Sequence, residues 1–212
     1  MSNYRLGMGR RSDARDKLIT AATEVLWRFG YHGATVDRIC EAAQVRRGSF
    51  HYFFGGKDGL VLAAIEAAWQ ERQVLLDEIF SPRKEPLQRL ESYFASISKR
   101  QTSLKKQHGR VLGCFFTSLG SQLDGADPEI GRRVQQALST YERYYVAAVC
   151  EAAAKRQLEL TDPEERGRDV FAFVLGVLAQ ARVNDDLRRV RALGPAALAM
   201  LGADLRVEAR AS

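Results

Sequence analysis

Cysteine is scarce in this chain of 212 residues: Cys40, Cys114 and Cys150 are its only three, and no Cys-x-x-Cys pair occurs. An odd, widely spaced set cannot make a fully paired disulfide framework, which points to a reducing compartment. Long apolar runs are missing as well. The longest uncharged apolar stretch, Val170 to Ala181, is too short to span a bilayer. The opening residues Met1-Ser2-Asn3-Tyr4-Arg5-Leu6-Gly7 lack the apolar core of a signal peptide. We therefore expect a cytoplasmic protein without a membrane partner. Strand signals are absent: there is no period-two alternation and no Asn-Gly or Asp-Gly hairpin between apolar runs, Asp124-Gly125 falling between helical segments. No phosphate loop, dinucleotide-binding glycine pattern or His-Glu-x-x-His occurs. Cys114 with His108 is the one nucleophile–base pairing in view, and no acidic residue lies close in sequence to orient the histidine. An enzyme, a cofactor and a metal site are accordingly not expected.

What the chain does hold suits a globular protein of one or two domains: 46% hydrophobic and 27% charged residues. That length buries a core without disulfide or metal staples. The net charge is +6, and its placement is uneven. Residues 1–60 carry ten Lys or Arg against six Asp or Glu, while the other 152 residues are nearly balanced. An excess at one end is either a solvated basic face or a surface for a polyanion.

Helix punctuation runs throughout. Ser12-Asp13 can cap a first helix with Leu18, Ala22, Val25, Leu26 and Phe29 facing inward, and Gly30 ends it. Thr35 can cap a short second helix that turns Val36, Ile39, Cys40 and Ala43 inward. A third runs from about Arg47 to Phe53 and closes at Gly55-Gly56; a long fourth spans about Lys57 to Phe80, and a fifth follows Pro86 to about Gln107. Asp127-Pro128 and Asp162-Pro163 each set a capping carboxylate before a first-turn proline, and Glu165 completes a capping-box pattern. Gly194-Pro195 is expected to start the last helix, Ala196 to Leu205. The fold class is all-α.

The chemistry concentrates in residues 35–60. Two short helices are joined by a turn, Gln44-Val45-Arg46, and the second carries Arg47, Ser49, His51 and Tyr52. A helix of this size fits the major groove of B-DNA with its N-terminal end at the base edges. Arginine can bridge both acceptors of guanine, while Ser, Tyr and Lys57 suit phosphate oxygens. Gly48 allows close approach to the duplex, and Val45, Phe50, Phe53 and Phe54 are read as packing groups. The arm residues Arg5, Arg10 and Arg11 either track phosphates or the minor groove, or form a free tail.

Together, Thr35-Val36-Asp37-Arg38-Ile39, Ala42-Ala43, Val45, Gly48-Ser49-Phe50, Tyr52-Phe53-Phe54 and Lys57-Asp58-Gly59-Leu60 resemble the DNA-binding domain of TetR-family transcriptional regulators. The resemblance covers roughly residues 12–60. It implies a three-helix helix-turn-helix domain at 12–60 behind a basic arm at 1–11. A larger helical bundle at 61–212 would bind ligand and dimerise. It further implies a homodimeric repressor released from a double-stranded DNA operator by a small-molecule effector. Thr35, Arg46, Arg47, Ser49, His51, Tyr52 and Lys57 then fall where family members contact DNA. Three positions depart from the common pattern: Gln44 stands where many members have glycine, Arg46 where a small hydroxyl residue caps the helix, and His51 where an aromatic hydroxyl is usual. Losing the cap costs about 1 kcal/mol, which a DNA contact by Arg46 would offset.

In the larger region, Gly109 to Leu119 resembles a Gly-Cys-containing helix of one branch of the family, whose members sense small organic compounds. His108, Arg110, Cys114 and Gln122 are polar candidates for orienting a ligand, and Trp69, Phe94, Phe116 and Tyr144 are candidates for an apolar wall. Ordinary core roles remain open for all eight, as does a thiol-redox response through Cys114. Val170 to Ala181, apolar nearly all round, is either buried within one subunit or, with the last helix, part of a four-helix dimer interface. Dimerisation would set two recognition helices about 34–36 Å apart over a near-palindromic operator.

Overall fold

A computed structural model describes the backbone of residues 5–203 and the side chains of residues 13–203. Among the described residues every regular element is a helix: α1 (Arg5–Gly33), α2 (Val36–Ala43), α3 (Arg47–Phe54), α4 (Lys57–Ile79), α5 (Pro86–His108), α6 (Phe115–Gly120), α7 (Pro128–Ala154), α8 (Pro163–Asn184) and α9 (Leu187–Met200). They form two compact units. Met1–Arg72 and Phe115–Ala137 make the first, Gln73–Cys114 and Leu138–Ser212 the second.

In the first unit, Leu18, Ala22, Val25 and Leu26 of α1 are buried together with Ile39, Cys40, Ala43 and Phe50. Burying Phe50 alone stabilises by roughly 1.5–3 kcal/mol. Phe29 corrects the expected inward stripe: it is 42% exposed, with the guanidiniums of Arg28 and Arg38 4.9 and 4.4 Å from its ring centroid. Two cation–π contacts take the place of burial just before α1 breaks at Gly30 (φ 72°, ψ −178°). The start of α1 is a second correction. The helix already runs at Arg5, so Ser12 is inside it rather than at its cap; with no proline before Pro82, nothing stops it extending backwards. Residues 1–4 and the side chains of Arg5, Arg10 and Arg11, which carry the basic-arm expectation, lie outside the described residues. From far along the chain α6 packs on α1, with Trp27 edge-on to Phe115 at 5.9 Å. The Gln122 side chain occupies the place of a Cβ on Gly30, its Oε1 1.8 Å from where that atom would lie.

The second unit is built round Tyr145, wholly buried among Tyr93, Phe94 and Phe171 with ring centroids at 5.6, 6.1 and 5.3 Å. Its α8 is capped as expected, Asp162 accepting from the Glu165 amide at 3.0 Å. The Glu165 carboxylate instead meets Arg168 at 3.0 Å, so only half of the capping box forms. Residues 109–114 are not helical, which corrects the expected Gly-Cys helix: Gly109 (φ 76°) ends α5, and Gly113 (φ 68°) turns the chain before α6. This segment is stapled from two sides. Gln101 donates to the Gly113 carbonyl and accepts from its amide (2.8 and 3.0 Å), Arg182 donates to the Leu112 carbonyl at 2.6 Å, and Asp185 accepts from the Val111 amide at 2.8 Å. The last helix is also corrected. It starts at Leu187 behind the cap of Asp186, which accepts from the Arg188 amide at 2.9 Å, and Pro195 sits inside it; Leu205 lies outside the described residues. A good cap more than two turns upstream outweighs the local Gly-Pro signal. Finally, α8 buries Val170, Phe171, Val174, Leu178 and Ala181 on one side only, leaving Ala172, Gly176 and Ala179 exposed and Val183 82% exposed. No helix among the described residues is long and apolar enough to cross a membrane.

Candidate nucleic-acid interface

The Thr35 side chain accepts from the Arg38 amide at 3.3 Å and so begins α2. At the other end Gln44 takes φ 54°, ψ 40°, the left-handed conformation that favours glycine. The Val45 amide then bonds the Cys40 carbonyl and the Gln44 amide the Glu41 carbonyl, both at 3.0 Å. The turn therefore closes in the geometry glycine would give, at the cost of backbone strain. Arg46 is extended (φ −67°, ψ 143°) and caps α3 without a side-chain hydrogen bond. Its guanidinium is left exposed.

On α3, Arg47, Gly48, His51 and Tyr52 recur at helical spacing and share one face. All four are exposed, Tyr52 by 69%. Phe50 is buried on the opposite side, with Phe53 and Phe54 half-buried. A Cβ on Gly48 would meet nothing within 4 Å, so the backbone there is open to a close-approaching partner. Ser49 is half-buried at the edge of this face, and Thr35 is exposed. Arg47 pairs with Asp37 across the exposed surface at 2.9 Å; such a pair is worth little in water and is readily exchanged for phosphate or guanine. Lys57 is placed differently. Half-buried, it donates to the Tyr31 carbonyl at 2.6 Å and lies 4.0 Å over the Tyr31 ring, and burial lowers its pKa. Tyr31 in turn donates to Asp58 at 2.5 Å, its phenol pushed up to about 12 by burial and by that carboxylate. Lys57 thus ties α1 to the start of α4, a role that sequence reasoning missed because its partner lies 26 residues away.

Of the eight ligand candidates, Phe94 and Tyr144 line two different cavities of the second unit. In the first unit, Trp69 and Phe116 meet edge-on at 6.2 Å, and Gln122 fills the notch at Gly30. In the second, Tyr144 lines a cavity of about 340 Å³ with Phe80, Arg89, Thr140 and Arg143. Its hydroxyl donates to Asp77, and burial with that bond raises its phenol to about 12. Phe94 is buried and lines a different cavity. His108 and Cys114 are half-buried and Arg110 is exposed.

The family profile described as bacterial regulatory proteins, tetR family, matches residues 18–64, and the tetracyclin repressor-like C-terminal domain matches residues 86–196. The chain belongs to the TetR family. Among its relatives is the transcriptional regulator AcuR of Cereibacter sphaeroides, 31% identical over 80% of this chain and 77% of that one. A crystal structure of the regulatory protein TetR from Rhodobacter sphaeroides superposes with a TM-score of 0.76 at 26% identity, over 87% of this chain and 96% of that one. The reduced form of Escherichia coli NemR superposes with a TM-score of 0.77 at 17% identity, over 91% and 99%. The protein is accordingly a transcriptional regulator that binds DNA through its N-terminal helix-turn-helix, and α2, the turn at Gln44 and α3 form that motif.

Proposed function

We propose that this TetR-family protein is a homodimeric repressor that leaves a near-palindromic operator when a small organic ligand binds. Residues 12–60 serve as the DNA-binding module and 61–212 as the ligand-binding and dimerisation module. The observation that carries the reading is the solvent-facing side of α3, where Arg47, His51 and Tyr52 surround an unencumbered Gly48 beside Arg46 and Thr35. In the major groove, Arg46 and Arg47 supply guanine or phosphate contacts, Ser49, Tyr52 and Thr35 donate to phosphate oxygens, and His51 lies at the groove wall. Lys57 keeps two ammonium protons beyond the one spent on Tyr31. Dimerisation is supported by the exposed apolar face of α8 and by exposed Ala192, Ala196 and Ala199 on α9. The cavity at Tyr144 is the candidate effector site in the second unit. Phe80, one of its walls, directly follows α4, whose other end begins at Lys57. A ligand that repositions this wall acts on a helix continuous with the DNA-binding module. A tenfold change in operator affinity needs about 1.4 kcal/mol of differential binding.

Selection of bound fragments from genomic DNA supplies the operator for the test. Arg46→Ala and Arg47→Ala are each expected to weaken operator binding about tenfold, and affinity to fall steeply with salt, as read by titration of labelled duplex. A protein that prefers no duplex at low salt, or that stays monomeric at micromolar concentration, ends this reading. A thiol-responsive regulator using Cys114 is the second reading. Burial raises the thiols of Cys40 and Cys150, and Cys114 follows directly on the stapled 111–113 segment; the likeness to reduced NemR supports it too. If it holds, hydrogen peroxide releases the wild type from operator while Cys114→Ser stays bound. Equal responses of the two proteins exclude it.

A further inference from the structure

Helices α5 and α9 run antiparallel. Lys105 meets the Asp185 carboxylate at 3.1 Å just before α9, and further along Gly194 abuts Phe94, where an added Cβ would lie 3.2 Å from the Phe94 Cβ. Between these points a groove of about 610 Å³ opens on the surface of the second unit, within the size range of small-molecule sites. Its floor is apolar: Phe94 and Ala95 from α5, Pro195 and Leu198 from α9. The antiparallel register brings Arg191 beside Ser98, Lys99 and Thr102 at one end and Leu198 beside Glu91 at the other. At 1.5 Å per residue the α5 wall from Glu91 to Thr102 is about 16 Å long.

The charges are sorted along it. Lys105 and Arg188, on neighbouring turns, are paired with Asp185 and Asp186 at 3.1 Å each. Among the described residues Lys99 and Arg191 have no carboxylate partner, although both border the groove. Two unpaired cations and two hydroxyls thus stand at one end of an apolar trough, and Glu91 repels an anion from the other. Gly194 and Pro195 shape the trough at the expense of helix propensity, since both disfavour a helix interior. Glycine lets α9 close on Phe94, and proline contributes floor.

We propose that this groove binds an amphipathic organic anion: an apolar chain along Phe94, Ala95, Pro195 and Leu198, its carboxylate or other acidic head held by Lys99 and Arg191. The site is separate from the Tyr144 cavity, and its occupancy does not depend on operator release. Calorimetric titration of the purified full-length protein with sodium decanoate, below its micelle concentration, tests it. We expect saturable binding with a negative heat-capacity change, about tenfold weaker in Lys99→Ala and in Arg191→Ala. Binding should be lost in Ala95→Trp, which fills the trough, and unchanged in Ala147→Trp, which fills the Tyr144 cavity. Decanol, with the same chain and no charge, should bind at least tenfold more weakly. Equal binding of decanol and decanoate overturns the proposal, as does decanoate binding that survives Ala95→Trp or is abolished by Ala147→Trp. A change of oligomeric state in Ala95→Trp with decanoate binding intact also overturns it, and assigns the groove to a second copy of the chain.

Discussion

Replacing Gly59 by alanine is expected to destabilise the first unit by about 3 kcal/mol, the upper part of the range for overpacking, and to reduce operator affinity by more than tenfold. Gly59 lies in the first turn of α4, where a Cβ would sit 2.4 Å from the Phe54 carbonyl oxygen. That oxygen belongs to the last residue of α3 and already accepts from the Gly56 amide at 2.7 Å. It is backbone, with no rotamer by which to withdraw. Relief requires moving the end of α3 or the start of α4. Either motion re-aims the helix that carries Arg47 and Tyr52, or breaks the staple of Lys57, Tyr31 and Asp58. Gly56→Ala is the control, because a Cβ there meets nothing within 4 Å, and it should change neither quantity by more than about 0.5 kcal/mol. Thermal unfolding and operator titration of the two variants read the contrast. If Gly59→Ala behaves like Gly56→Ala, the junction between α3 and α4 is softer than its geometry implies.

The parts of this molecule that could be read from sequence are those fixed by local chemistry. Thr35 and Asp162 cap their helices as expected because a side-chain oxygen three residues ahead of an amide needs no distant partner. The turn at Gln44 was legible although the residue is not glycine. The apolar spacing of Ile39, Cys40, Ala43 and Phe50 fixes both flanking helices, and the backbone between them accepts the strain. Long-range packing erased the signal elsewhere. Phe29 fits the inward stripe by periodicity, yet Arg38 from the next helix holds it at the surface. Pro195 reads locally as a helix start, but the Asp186 cap had already begun the helix. Residues 111–113 are apolar enough for a helix, and three side chains from α5 and the α8 end hold them out of one. The exposed face of α3 was legible because α3 is one continuous helix whose exposed positions follow from its buried ones. Cavity walls are harder to read, since a cavity is enclosed by residues from several helices. Spacing along one helix does not reveal which of Tyr144, Phe94 and Phe116 look into the same space.

The largest effect in the second unit is expected from Glu151→Ala. Arg89 is 5% exposed and buried beside the Tyr144 cavity. Its guanidinium donates twice to Glu151, at 2.5 and 3.2 Å, and its Nε donates to the Lys84 carbonyl at 2.8 Å. Removing the carboxylate leaves a buried cation with one backbone partner. The cost is about 3 kcal/mol, at the low end for breaking a buried pair because Glu151 itself reaches solvent. For a chain of this size the melting temperature should drop by roughly 6–12 °C. Removing the cation as well should recover part of the loss, so Arg89→Met with Glu151→Ala is expected to be more stable than Glu151→Ala alone. The pair also fixes a pH dependence. Hydrogen bonding to Arg89, and then to Lys155, holds the Glu151 carboxyl below its ordinary value. A depressed carboxyl stabilises the fold fully above its unfolded pKa, and that contribution disappears as the pH falls through the folded one. The stability gap between wild type and Glu151→Ala should therefore be widest near neutral pH and narrow below the usual glutamate range. A gap under about 0.5 kcal/mol at neutral pH, or one that widens in acid, would show that Arg89 does not depend on this carboxylate for its charge.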